Sequence, residues 1–327
     1  MSGRVDLLRL LADGAMHSGE ELAAALSISR AAVWKRLQQL ESWGIACEAR
    51  PGSGYRLEAP IDLLDAPRIR AGLPQATLGM LRNLEVHESL ESTSDRLLAI
   101  GDLPAGRFDA CLAEFQSAGR GRRGRHWVAP FASGLCLSIN WSYRDAPAML
   151  GALSLAAGVA ALRALGRLEF PRLSLKWPND ILYGDAKLGG ILIDLRGEAA
   201  GPAYVVVGVG INVRLTRAAR EQLTAEGVDA VDLAALGRTP VRNEIAAVLI
   251  AELTQALAEF GARGLAAFAE EWQAADSLAG RPVRVLHGGK ALEGLARGVD
   301  GDGALLLEVD GSRRRILTGE VSVRAVR

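Results

Sequence analysis

A chain of 327 residues is long enough for two domains of ordinary size, or three if one is small. Its 38 basic and 38 acidic side chains cancel, so no global positive field draws it to nucleic acid or anionic lipid, and any such binding has to use a local patch. Hydrophobic residues at 49% and charged residues at 23% are globular proportions and exclude a disordered chain.

In chain order, apolar residues recur at helical spacing from Val5 to Leu40, with breaks at Asp13-Gly14 and Ser27-Ile28-Ser29, which predicts three short helices. Glu21 to Leu26, a turn and Ser29 to Leu37 read as helix-turn-helix, with Ser29 as N-cap of the second helix. The alternating stretch to Ala49 and the glycine-tipped Arg50-Pro51-Gly52-Ser53-Gly54-Tyr55-Arg56-Leu57 read as a two-stranded wing. Between Ser29 and Arg56 stand Arg30, Lys35, Arg36, Arg50 and Arg56 against Glu41 and Glu48 only, the kind of local cationic patch that phosphate contacts require. Residues 61–81, with Pro67 and Pro74, read as a connector with one helical turn.

An α/β region follows. Strands are expected at 84–87, 110–115, 135–141, 174–177, 188–194 and 204–209, and helices at 94–100, 147–165, 242–261 and 265–275. The uncharged run 146–162 is short for a membrane span and rich in Ala and Gly, and reads as a buried helix. Helices and strands do not alternate one for one, which favours a mixed or antiparallel sheet over a doubly wound one. After Gly280 come five short β-rich runs separated by glycine turns at 287–289, 300–303 and 310–311, a spacing that suits a small β-barrel.

Cys47, Cys111 and Cys136 form neither a disulfide framework nor a CxxC zinc knuckle, and the four histidines show no i, i+4 pairing. A reducing cytoplasm and no tightly held metal are expected. Arg4, Asp6 and Arg9 stand where a signal peptide needs an apolar core. Gly119-Arg120-Gly121-Arg122-Arg123-Gly124 matches the dinucleotide-binding GxGxxG, but Arg125-His126-Trp127-Val128-Ala129-Pro130 cannot open the helix that motif needs. Glycines that let the backbone turn around an anion, joined to guanidinium forks, describe instead a mobile, cationic anion-binding loop. The plain alternative is a solvated basic loop or a nonspecific nucleic-acid patch. Lys176-Trp177-Pro178-Asn179-Asp180 puts a cation, an amide and a carboxylate in one turn, where Asp180 either holds Mg²⁺ beside a triphosphate, orients an amine, or only caps the turn. Lys187-Leu188-Gly189-Gly190 and Gly208-Val209-Gly210-Ile211-Asn212 carry glycines that allow close approach to the backbone. Glu91-Ser92-Thr93-Ser94-Asp95 offers hydroxyls at a helix start, for capping or for a polar ligand. No P-loop, GxSxG elbow or HExxH occurs.

Taken in order, ESTSD, FQSAGRGRRGRHW, KWPNDI, KLGGILID and GVGINV resemble the biotin protein ligases. HSGEELAAALSISRAAVWKRLQQLESWGI and RPGSGYRLE resemble the winged helix of the bifunctional members, which also repress biotin synthesis, and TGEVSVR resembles their C-terminal barrel. The resemblance implies an α+β multidomain chain. It has a winged helix-turn-helix at 1–60, a linker at 61–80, a mixed-sheet ligase domain at 81–278 similar to class II aminoacyl-tRNA synthetases, and an SH3-like barrel at 279–327. It implies a cytoplasmic enzyme that uses ATP, Mg²⁺ and biotin to form biotinyl-5′-AMP. Biotin is then passed to a lysine of the biotin carboxyl carrier protein of acetyl-CoA carboxylase. The adenylate-bound homodimer binds operator DNA upstream of biotin synthesis genes, and no membrane is involved.

By motif match, Ser92, Thr93, Ser94 and Gln116 hold biotin. Gly119, Arg120, Gly121 and Arg122 form the closing loop, and Lys187 bridges the biotin carboxylate and phosphate. Arg122, Arg125, Trp127, Lys176, Asn179, Asp180 and Asn212 serve the nucleotide, metal or acceptor side, with Arg122, Lys187 and Asp180 as catalytic groups. Ser29, Arg30, Trp34, Lys35, Arg36, Arg50 and Arg56 face DNA, and Glu320 and Arg324 reach back from the barrel. Two features depart from the pattern: Ser94 stands where many members have Asn, and 214–236 lacks the Trp that some members fold over adenine. The competing readings are a lipoate-type ligase, which shares fold and adenylation chemistry, and a ligand-sensing DNA-binding regulator without ligase activity.

Overall fold

The computed structural model describes residues 3–325 apart from 42, 44, 46, 58–59, 102, 145–149, 198–201, 239–240, 288–289 and 318–321, and only the backbone of 3–5, 41, 197, 287, 290 and 322–325. The N-terminal segment folds as α1 (Gly3–Leu11), α2 (Gly19–Ala25) and α3 (Arg30–Glu41), then an antiparallel pair, β1 (Cys47–Arg50) and β2 (Gly54–Leu57). Ser18 and Glu21 close a reciprocal capping box on α2, and Ser29 Oγ accepts the Ala32 amide at 3.2 Å as the sequence predicts. Leu7, Leu8, Leu11, Leu22, Val33 and Leu40 bury the apolar faces of the three helices in one core. Gly54 is required where it stands: its φ is +121° and a Cβ would lie 2.0 Å from His17 O. That close approach lets Tyr55 and His17 exchange backbone hydrogen bonds and fix the wing against the turn before α2.

The connector is more ordered than its prolines suggest. Pro67 sits in the first turn of α4 (Ala66–Ala71), where its missing N–H costs nothing, and Asp65 caps that helix. α5 (Gln75–Met80) starts directly after Pro74. The segment is clasped by a buried ion pair: Arg242 donates to Glu114 at 2.6 Å and to Asp62 O and Gly134 O, while Glu114 accepts the Leu64 amide.

The central region is a seven-stranded mixed sheet built from β3 (Leu81–Leu90), β4 (Phe108–Gln116), β5 (Gly134–Tyr143), β6 (Ser174–Lys176), β7 (Asp180–Tyr183), β8 (Ala186–Gly197) and β9 (Ala203–Asn212), in the order β3-β4-β5-β9-β8-β7-β6. Only β3 and β4 run parallel. α6 (Thr93–Leu98) lies on one face. α7 (Leu153–Arg167) and α9 (Arg242–Arg263) pack on the other, with α8 (Arg217–Ala225) and α10 (Ala269–Ala275) at the periphery. The pleat sorts β5 accordingly: Leu137, Ile139 and Tyr143 enter the main core, while Ser138 and Asn140 turn to α6 and its neighbours. By length and composition, 150–167 and 242–275 could each cross a bilayer, but their apolar residues are packed inside this core.

β10 (Pro282–His287), β11 (Lys290–Val299), β12 (Leu305–Val309), β13 (Ser312–Ile316) and β14 (Ser322–Ala325) form an antiparallel sheet ordered β13-β12-β11-β10-β14. Val283, Val285, Leu305 and Leu307 belong to the same hydrophobic cluster as the central helices. The winged helix joins the central region through Trp43, which stacks on Phe131 with centroids 4.4 Å apart and planes 8° from parallel.

Candidate active site

The five sequence segments meet at one cleft of ≈ 730 Å³ across the α6 face of the sheet. Every residue assigned to biotin or nucleotide lines it except Gly119, which sits at the neck of the loop. Trp127 N donates to Gly119 O at 2.9 Å, and a Cβ on Gly119 would lie 2.8 Å from Trp127 O, so the two limbs of the loop close only over a glycine.

At one end, Ser92 caps α6, and the Gln116 carbonyl accepts from Thr93 N at 2.7 Å and Thr93 Oγ1 at 3.1 Å. Ser138, which the sequence reading did not single out, meets Thr93 Oγ1 at 2.8 Å and Ser94 Oγ at 3.0 Å. The result is a buried cradle of hydroxyls and one amide, suited to a neutral ligand with both donors and acceptors. Gly208 makes room for it, since a Cβ there would stand 2.8 Å from Ser94 Oγ.

The loop crosses the cleft with only a short 3₁₀ turn at Arg122–Gly124, as expected of a sequence that cannot open a helix. Arg120 is held by Asp194 at 2.8 and 3.1 Å and by Asp95 at 2.8 Å, two carboxylates that sequence spacing gave no reason to pair with it. Arg122 is half-buried, and its hydrogen bond to Asn179 Oδ1 is long, at 3.4 Å. Burial, and after it the positive charge of Arg123, pull its pKa down from the usual guanidinium range. A desolvated and weakly compensated cation of this kind gains most from an incoming anion.

The lysine and the turn supply the other wall. Lys187 Nζ lies 2.7 Å from Asp180 Oδ1 and 5.8 Å from the centroid of the Trp127 ring. Asn179 is fixed by donating to Ile191 O at 2.7 Å. Trp127 lies over Gly210, where a Cβ would come within 2.4 Å of the indole. Asn212 spends its amide on Lys187 O and Val231 O, which holds the 223–230 segment beside Lys187. That segment completes the cleft with Leu223, Val228 and Ala230 beside Glu226, Gly227 and Asp229; it falls within the 214–236 stretch noted in the sequence for lacking a tryptophan, but its individual lining residues follow no local motif. Lys176 and Arg125 line the cleft as well.

Trp177 borders the cleft, but its indole nitrogen is engaged elsewhere. Buried, it donates from Nε1 to Gly303 O at 3.0 Å and so ties the turn carrying Asn179 and Asp180 to the C-terminal sheet. Arg281 adds a bond to Asp185. Glu320 lies outside the described residues, and of Arg324 only the backbone is described, in register with Arg284. Glu85, His87 and Cys111 have metal-ligand spacing, but Glu85 is taken up by Arg96 and His87 and burial pushes the Cys111 thiol up to about 12. Cys136, in the cleft, is likewise pushed up by burial to about 11.

On α3 of the winged helix, Ala31, Trp34, Lys35 and Gln38 are exposed at the i, i+3, i+4, i+7 spacing of one face, with Trp34 at 54%. Gln38 belongs to this face and was not among the expected DNA residues. Arg30 is exposed and bonded to Glu20, whereas Arg50 and Arg56 share Glu48 on the wing.

A cationic loop folded over a polar cleft is a device for bringing anions together, and here it is joined to a helix-turn-helix. Residues 87–212 match the Biotin/lipoate A/B protein ligase family, 4–56 an HTH domain, and 279–324 the Biotin protein ligase C terminal domain. The chain is 42% identical over 320 residues to the Bifunctional ligase/repressor BirA of Salmonella typhimurium, covering 98% of this chain and 97% of that one. To its Escherichia coli counterpart it is 41% identical, with 98% and 96% covered. The structure of the biotin protein ligase from Aquifex aeolicus in complex with biotin and ATP superposes with a TM-score of 0.62 at 27% identity, over 75% of this chain and 100% of that one. The chain belongs to the biotin protein ligases, in the bifunctional form that couples a ligase to a repressor.

Proposed function

We propose that the cleft activates biotin with ATP and transfers it, through biotinyl-5′-AMP, to a lysine of a biotin carboxyl carrier protein. The observation that carries this reading is the convergence of the hydroxyl cradle, the Arg-Gly loop and the Lys187–Asp180 pair on one cleft. Ser92, Thr93, Ser94 and Gln116 take the biotin head group. Lys187 and Arg122 then bracket the biotin carboxylate and the α-phosphate. As the carboxylate oxygen attacks phosphorus and pyrophosphate leaves, charge grows on the phosphoryl oxygens, and fixed cations in a desolvated cleft stabilise it most. Asp180 keeps Lys187 in place beforehand. Asp180, beside Lys187 in the cleft, would hold the Mg²⁺ that accompanies the nucleotide, and the ion would supply neutralisation of phosphate charge. Closure of the loop excludes water from a mixed anhydride that would otherwise hydrolyse. Trp127, Lys176, Asn179 and Asn212, with Arg125, belong to the nucleotide side, where the 223–230 segment lines the cleft with Leu223, Val228 and Ala230 beside Glu226 and Asp229 and offers no aromatic lid.

The chain divides into a winged helix at 1–60, a connector at 61–80, a ligase domain at 81–278 of class II synthetase-like type and an SH3-like barrel at 279–327. The adenylate-loaded protein acts in the cytoplasm as a homodimer that places α3 in the major groove of an operator upstream of biotin synthesis genes. The exposed face of α3 and its local positive charge support this, and two half-sites raise affinity and specificity where one short helix reads few bases. Incubation with MgATP, labelled biotin and a carrier domain should leave label on the carrier. Label from lipoate but not from biotin would instead establish the lipoate-type reading, and no label from either would leave a DNA-binding regulator. A gel shift that does not depend on adenylate, or that survives deletion of residues 1–60, would overturn the repressor assignment alone.

A further inference from the structure

The cradle rides on α6, a helix of six residues, far too short to hold its shape alone. Its N-terminal end is fixed by the residues that also face the ligand. Its C-terminal end is held by others. Tyr204 Oη donates to Leu97 O at 2.6 Å and accepts from Asn140 Nδ2 at 3.1 Å. Asn140 Nδ2 also donates to Asp109 Oδ2 at 3.0 Å, and Asn140 Oδ1 accepts the Asp109 amide at 2.6 Å. The chain of contacts ends at Arg82, 3.3 Å from Asp109. Asn140, Asp109 and Tyr204 are 0%, 1% and 3% exposed, so this network spans β4, β5 and β9 under dry conditions where a hydrogen bond fixes geometry firmly. On the exposed side, Arg196 donates to Leu98 O at 2.8 Å.

We propose that Tyr204, backed by Asn140 and Asp109, is a positioning residue for biotin: it holds the C-terminal end of α6 so that Thr93 and Ser94 at the other end keep their register with Ser138 and Gln116. The proposal rests on the assignment of that cradle to biotin. Leu97 O also accepts from Ile100 N, so removing the tyrosine hydroxyl loosens the helix end rather than stripping it, and leaves one Asn140 N–H unpaired. Network members coupled in this way act non-additively.

The test uses the full chain and biotin itself. Tyr204→Phe should raise the KM and Kd for biotin roughly three- to tenfold, while the KM for ATP and the adenylation rate at saturating biotin stay within about twofold of wild type. Arg196→Ala should do the same to a smaller degree. Thr93→Val should weaken biotin binding directly, and the Tyr204→Phe/Thr93→Val double variant should lose less than the sum of the two. A lowered Tm with unchanged biotin affinity in Tyr204→Phe, or equal rises in the KM for biotin and for ATP, would overturn the positioning role. If Tyr204→Phe does not fold, unchanged biotin affinity in Arg196→Ala overturns it. Unchanged biotin affinity in Thr93→Val would instead overturn the cradle assignment beneath it.

Discussion

The cleft and the winged helix both carry several cations, yet they hold them under opposite conditions. In the cleft, the Lys187 and Asp180 side chains are each 25% exposed and 2.7 Å apart, and Arg122 is half-buried beside Arg123 with its pKa lowered by that burial. On the winged helix, the Arg30 and Glu20 side chains are 70% and 77% exposed, and Arg50 is 56% exposed while sharing Glu48 with Arg56. Charge removed from water acts strongly on a few fixed positions, whereas charge in water acts weakly, at long range, and is screened by salt. The first suits chemistry on a phosphoryl group and the second suits tracking a phosphate backbone.

The largest effect is expected at Lys187. Lys187→Ala should slow adenylate formation about 100- to 1,000-fold with biotin still bound measurably, and normal single-turnover adenylation would reduce it to a structural strand-end lysine. Arg122→Ala comes next: loss of a charge-assisted contact worth about 1.5–3 kcal/mol should raise the adenylate dissociation rate roughly ten- to a hundredfold, whereas Arg30→Ala leaves it unchanged. Equal retention in both variants would erase the contrast between the two regions. On the winged helix, Lys35→Ala should weaken DNA binding uniformly across sequences and lower the salt slope by about one counterion, without altering ligase rate. A changed ligase rate in that variant would show that the two charge systems are not separate.

The smallest effect concerns acid stability. The bonds from Arg96, and secondarily from His87, hold the Glu85 carboxyl below its usual value of 4.5, against the opposing effect of burial. A depressed folded-state pKa stabilises above the unfolded value and loses that contribution as pH falls through the folded one. Thermal scans should therefore show Glu85→Gln with a shallower loss of Tm below pH 4.5 than wild type, and parallel curves would remove Glu85 from the acid response.

Local signals carried far in this sequence. The helix-turn-helix, the Ser29 cap, six of the seven central strands and the mixed character of the sheet follow from periodicity and turn residues that act over a few positions. The four-residue β7 escaped because it follows the Pro178-Asn179 turn with too few residues to alternate. Of α4 and α5 only a single helical turn was expected, because prolines that open helices look, in sequence, like prolines that end them. In the site, glycine-rich motifs with charged neighbours were visible. Asp194 on Arg120, Ser138 in the cradle, Trp177 on Gly303 and the Arg242–Glu114 clasp are pairings between distant segments, and no local pattern encodes them.

Adenylate retention against salt tests the central contrast most directly. With MgATP and labelled biotin loaded on the intact chain, dissociation of biotinyl-5′-AMP should change less than about twofold between 50 and 200 mM salt, since its anchoring cations are desolvated. Over the same range DNA affinity should fall by at least about tenfold. A steep rise in adenylate loss with salt, parallel to the loss of DNA binding, would contradict the account by showing that the loop cations work as exposed charges.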